Sequence, residues 1–175
     1  VVVTALVVPL LVALLVLVNL RDDEPGDTAP QISGPAATAR ADLPVLEVPV
    51  PPVTAESDAA CPAFMTDLPV ELAGERSRPV RSDTPYAYAW GDPPIVLRCG
   101  VERPAGFVRD AQLFTLSGVS WFVDDSDPER YVWTVVDRAV YVELTVPADV
   151  DSEPANALGA LITATLPSRE PQPGD

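Results

Sequence analysis

Two residue types that perform much of side-chain chemistry are missing from this chain: it has no histidine, and all eleven of its basic residues are arginine. Without histidine, neither a Ser-His-Asp nor a Cys-His relay can be built, and the commonest metal ligand is gone. Without lysine there is no Schiff base, no Ser-Lys pair and no phosphate-loop lysine. No glycine-rich dinucleotide fingerprint occurs either. Carboxylate chemistry, calcium binding and two thiols are what remain.

The densest acid cluster is Asp124-Asp125-Ser126-Asp127-Pro128-Glu129. Alternating oxygen ligands suit calcium, but the glycine that turns an EF-hand loop is absent and Arg130 follows. The cluster falls between two expected strands, so a solvated loop is the simpler reading. Glycoside hydrolysis by two carboxylates is open in principle, yet no spacing singles out a pair. The expectation is a domain with no catalytic residue, no cofactor and no metal, which works through a surface.

Cys61 and Cys99 are the only cysteines. Two thiols without histidine make a poor zinc site. An even count in an oxidising compartment favours a disulfide. Closing a loop of roughly 40 residues would contribute about 4 kcal/mol through the entropy of the unfolded chain.

The other distinctive stretch is Trp90-Gly91-Asp92-Pro93-Pro94, where Gly91 to Pro94 is turn chemistry. Trp90 beside prolines could anchor a partner, with Asp92 in the turn and Arg98 on the outward strand face completing a candidate partner surface. The competing reading packs Trp90 over the sheet end, uses Asp92 to stabilise the turn and pairs Arg98 with a neighbouring acid.

The elements that must position these residues follow from periodicity. Cys61, Phe64, Met65 and Leu68 lie at i, i+3, i+4 and i+7, one face of a helix that Ser57 or Asp58 can cap and Pro69 ends. Tyr86, Tyr88 and Trp90 alternate with alanines, and Ile95, Leu97, Cys99 and Val101 alternate with Val96, Arg98 and Gly100. Gln112 to Leu116 and Val119 to Val123 flank Ser117-Gly118, a hairpin signal, and Tyr131 to Val136 and Ala139 to Val146 flank Asp137-Arg138. A closing helix starts near Ser152 and Pro154 and buries Leu158, Leu161, Ile162 and Thr165, ending at Pro167. This order predicts an α+β domain, an antiparallel sheet with both helices on its dry face. Cys61 and Cys99 would then meet in the core between helix and sheet.

Ahead of the domain, Val1 to Leu20 carries no charge and is long enough to cross a bilayer core as one transmembrane helix. It ends Val18-Asn19-Leu20-Arg21, which is not a small-x-small cleavage site, and no lipobox cysteine appears. The expectation is a retained anchor. Residues 21–56 hold seven prolines and form an acidic tether with a reach on the order of 100 Å. Its second half, Leu43 to Val53, is rich in Val and Leu and should lie along the domain, as an edge strand where proline is tolerated. The expected division is therefore an anchor over 1–20, a tether over 21–56, an extracytoplasmic domain over 57–167 and a disordered tail over 168–175. The net charge of −15 would repel polyphosphates and excludes nucleic acid as a natural partner.

Trp90-Gly-Asp-Pro-Pro-Ile-Val-Leu-Arg-Cys-Gly-Val101, with Cys61, Leu68-Pro69, Gly118-Val-Ser-Trp121 and the strand ending at Pro147, resembles the signature of the actinobacterial "domain of unknown function 3515" family. The apolar start and its proline-rich follow-on are similar to it as well. The resemblance covers nearly the whole chain. It implies a membrane-anchored or secreted envelope protein and no particular reaction. Together these readings predict a single-pass, non-enzymatic binding or scaffolding module of the cell envelope, with an envelope or cell-wall protein as partner. A carboxylate-dependent hydrolase of envelope glycans is the alternative.

Overall fold

The computed structural model describes residues 38–175; the expected transmembrane helix over 1–20 and the first half of the tether lie outside them. Among the described residues, no helix is long and apolar enough to cross a membrane.

Six strands form one antiparallel sheet: β5 (Ala87–Trp90), β6 (Ile95–Val101), β7 (Leu113–Leu116), β8 (Val119–Asp124), β9 (Arg130–Val135) and β10 (Tyr141–Pro147). Their spatial order is β5-β6-β10-β9-β8-β7. The chain makes a β5–β6 hairpin, crosses to the far edge, then returns as a four-strand meander whose last strand closes against β6. Ser117 and Gly118 join β7 to β8 at φ of 47° and 76°, the left-handed pair that a two-residue hairpin turn needs to match strand twist.

Strict alternation sorts the side chains. Ile95, Leu97 and Cys99 on β6 and Val142, Leu144 and Val146 on β10 share one buried face with Val119, Trp121 and Val135. Both helices pack on it, as the hydrophobic periodicity predicted. Helix α1 (Ala55–Thr66) contributes Cys61 and Phe64, and α2 (Glu153–Thr165) contributes Ala155, Leu158 and Ile162. The α+β class and the two helices on one sheet face thus stand.

Helix α1 starts earlier than Ser57 or Asp58. Thr54 is its N-cap: its hydroxyl accepts from the Ser57 amide (3.1 Å), and the Ser57 hydroxyl accepts from the Thr54 amide (2.9 Å). This reciprocal capping box satisfies two orphan donors, and it draws the last tether residues into the fold. Ser152 does sit at the start of α2, but its side chain makes no capping bond. The Asp151 carboxylate accepts from the Glu153 amide instead (2.8 Å).

The folded unit is also longer than 57–167. Upstream, β1 (Leu46–Glu47) pairs in parallel with β4 (Val80–Arg81), and Val48 is buried. The tether's second half therefore docks, as its Val and Leu content suggested. A small hairpin of β2 (Glu71–Leu72) and β3 (Glu75–Arg76) lies between α1 and β4. Downstream, the expected disordered tail is held by backbone pairing. Ser168 bridges Arg138, Gly174 bridges Val108, and the Gly174 amide donates to the Phe107 carbonyl (2.8 Å). Phe107 packs with Phe122 and Val136 in a second small core on the face opposite the helices. The crossover between β6 and β7 covers part of what would otherwise be the wet face.

Candidate functional site

The two thiols meet. Cys61 and Cys99 form a disulfide with Cα atoms 5.9 Å apart, and both side chains are buried. Close approach of α1 to β6 depends on Gly100, which has φ of +82°; a Cβ there would lie 2.6 Å from Ser57 Cβ. A glycine at this position supplies the backbone conformation and leaves room for the helix.

Trp90 is not an exposed anchor. It is 0% exposed and sits in the main core. Its indole N–H donates to the Pro69 carbonyl (2.8 Å), and its ring lies 4.7 Å from that of Tyr88. The alternation that put Trp90 opposite Ile95 also put it on the helix face, so burial wins over display. Asp92 is exposed, and its carboxylate lies 3.3 Å from Nη1 of Arg78.

Arg78 is the residue that sequence reasoning missed. It is buried and acts as a clamp: Nη1 donates to the Gly91 carbonyl (3.0 Å) and Nη2 to the Pro44 carbonyl (3.1 Å). One guanidinium thus ties the Gly-Asp turn after β5 to the docked tether. Five donors in a planar fork suit that task. No local pattern marks it, because its partners lie 13 and 34 residues away.

Arg98 does face away from the helices, but it is engaged. Its Nε donates to Glu143 Oε1 on the neighbouring strand (3.0 Å), Nη2 contacts the same oxygen, and Nη1 donates to the Pro49 carbonyl (3.1 Å). Thr145 adds a hydroxyl to that Glu143 oxygen (3.3 Å). The ion pair has side chains only 29% and 14% exposed. The structure therefore does not join Trp90, Asp92 and Arg98 into one surface; it gives each a structural partner.

Two concavities flank the docked tether. A shallow groove of about 310 Å³ runs between Leu46–Pro49 and Val96, Arg98, Arg130 and Thr145 on the face opposite the helices. A second cleft, about 460 Å³, lies at the end of β6 between Pro51–Thr54, Gly100–Arg103 and Ala139–Tyr141. Glu56 and Glu102 also line it. Arg103 turns part of its guanidinium toward the tail, donating to the Phe107 carbonyl (3.2 Å). The acid cluster over 124–129 starts at the last residue of β8 and continues as a loop, and two of its carboxylates are used locally. The Ser126 side chain, together with the Ser126 amide that donates to Asp124 (3.0 Å), holds the Asp124 carboxyl below the usual range, and Asp127 pairs with Arg130 (2.8 Å). Among the described residues no three metal-ligating side chains converge.

These features define a disulfide-bonded α+β domain, clamped to its own proline-rich leader and carrying a cleft at the sheet end. The chain belongs to the family described as "Protein of unknown function (DUF3515)", which it matches over residues 4–171. No curated protein and no solved structure matches it.

Proposed function

We propose that this protein is a membrane-anchored extracytoplasmic domain of the bacterial cell envelope that binds or organises a partner there without catalysing a reaction. The observation that carries the compartment is the buried Cys61–Cys99 disulfide, a bond that persists in oxidising compartments and is rare in the cytosol. The uncharged run from Val1 to Leu20 supports an anchor on the same side of the argument. The missing histidine and lysine support a binding role over catalysis, because the common nucleophile-activating pairs cannot form. An actinobacterial source and a cell-wall protein as partner are the natural extension of the family resemblance.

A reporter that fluoresces only in the cytoplasm, fused after Asp175, tests the compartment. It should stay dark in cells; a bright fusion reverses the topology and removes the basis of the proposal. One observation favours a glycan hydrolase as the second reading: Glu56 and Glu102 share the walls of the cleft at the end of β6, and glycosidases work with two carboxylates. Purified protein that cleaves cell-wall glycan, and loses that activity in Glu102→Gln, would establish this second reading in place of the first.

A further inference from the structure

The two edges of the six-stranded sheet are treated differently. The β5 edge is covered: Ser77 bridges Trp90, the Arg78 amide donates to the Ala89 carbonyl (2.9 Å), and the Gly91 amide donates to the Arg76 carbonyl (3.0 Å). The β7 edge is not. Among the described residues β7 pairs only with β8, and no hydrogen bond reaches its outer side. Its sequence, Leu113-Phe-Thr-Leu116, has no charge and no proline, and its register with β8 is unbroken. Folded proteins usually blunt such an edge with a charge, a proline or a bulge, because a bare row of backbone donors and acceptors recruits another strand.

The side chains beside this edge are equally unprotected. Phe114 is 43% exposed, the only aromatic among the exposed large apolar side chains of the described residues. Its ring lies 6.0 Å from that of Trp133, which in turn stacks edge-on with Trp121 at 6.2 Å. A strand laid against β7 would place one side chain beside Phe114, on an aromatic platform already ordered by the core.

We infer that the β7 edge is a strand-addition site for an extended segment of a partner protein, with an apolar residue over Phe114 and basic residues flanking it. The register fixes the charge. Asp124 closes β8 two residues beyond Phe122, the partner of Leu113 at the start of β7, so Asp124 and the adjoining Asp125 lie at the Leu113 end of the hairpin. The arginine nearest to β7 in sequence, Arg109, is paired with Asp175 (3.0 Å). A second copy of this chain suits the edge poorly, since each copy carries a net charge of −15 and the approach is repulsive. Backbone pairing supplies the affinity in such complexes, and the alternating side chains supply the specificity. The inference extends the binding role to a named surface and does not depend on which side of a membrane the domain lies. The topology reporter and the following experiment can therefore fail separately.

The test is a selection of random seven-residue peptides against the purified full chain in detergent. Binding of the winners is then measured to the wild type and to Phe114→Lys and Thr115→Lys. Both replaced residues are exposed, and they point to opposite faces of the same strand, so circular dichroism should show both variants folded. The expected winners alternate apolar and polar residues with Arg or Lys at the ends. Their Kd should rise at least tenfold in both variants, and should rise several-fold between 50 and 200 mM salt, where screening weakens charge pairing, on the order expected for a few exposed ionic contacts. Loss in Phe114→Lys alone would mean an apolar patch and not a strand edge, and would overturn the inference. So would a selection that yields no binder, winners unaffected by either substitution, or a wild-type dimer that cross-links through β7.

Discussion

Replacing Trp90 with Ala tests whether this residue is core or display. Trp90 is 0% exposed, and a buried aromatic of this size removes roughly 150–250 Å² from water. At about 25 cal/mol per Å², that burial is worth about 4–6 kcal/mol, which agrees with the roughly 3–5 kcal/mol measured for large aromatic-to-Ala changes in cores. The substitution also leaves the Pro69 carbonyl without its 2.8 Å donor. A domain of this size has about 5–15 kcal/mol in total, so the variant should lose about a quarter or more of its stability. The melting temperature should fall by roughly 10–20 °C. Urea unfolding followed by far-ultraviolet circular dichroism, with the disulfide intact, should show a lower midpoint and an unchanged slope. Trp90→Phe keeps one aromatic ring but loses the indole N–H and the volume of the second ring, so it should cost about 1–3 kcal/mol, less than Trp90→Ala. Asp92→Ala removes the exposed carboxylate of a long 3.3 Å pair, while buried Arg78 keeps its two carbonyl acceptors, and should cost about 1 kcal/mol or less. The order Trp90→Ala, Trp90→Phe, Asp92→Ala is the signature of a core tryptophan. A Trp90→Ala midpoint equal to the wild type would refute this reasoning and restore Trp90 as a surface anchor.

Three further outcomes follow from the same geometry. Intact-mass measurement of unreduced protein should show two hydrogens fewer than the reduced form, and Cys61→Ser should destabilise by about 2–5 kcal/mol; freely alkylated thiols in native material would contradict the bridge. Arg98→Ala strands Glu143, only 14% exposed, with a single hydroxyl partner, and should cost about 1–3 kcal/mol. The double change Arg98→Met with Glu143→Leu should recover most of that loss, whereas an Arg98→Ala variant as stable as the wild type would show that the pair contributes nothing. Burial, reinforced by a hydrogen bond from its hydroxyl to Asp58 (3.1 Å), pushes Tyr86 above the ordinary tyrosine range. Its neutral form is favoured in the fold, so the contribution is complete below the unfolded value of about 10 and fades as pH rises from there through the folded value. Ultraviolet titration should show a late tyrosine step, and Tyr86→Phe should remove it.

Much of the architecture is determined by the sequence alone, because it depends on local periodicity. The alternation along Ile95–Val101 and Tyr141–Pro147 forces one face inward whatever the rest of the chain does. The spacing of Cys61, Phe64 and Leu68 does the same for α1. The disulfide was legible for that reason: once both cysteines lie on apolar faces, burying those faces brings them together. Trp90 lies in an alternating strand too, and that alternation, rather than the turn chemistry of Gly91 to Pro94, sets the face on which it packs. Only the tertiary structure decided what the polar and proline-rich residues do. Arg78 reaches Pro44 across 34 residues, Arg98 meets Glu143 across 45, and Gly174 bridges Val108. Such contacts have no period, because a long side chain or a tail finds its partner by where the folded sheet leaves an unpaired carbonyl or carboxylate. The bare edge at β7 is of the same kind. The residues of β7 announce a strand, but which strand is left at the rim is set by the order in which β10 returns to β6, a choice made by the long-range packing of the whole sheet.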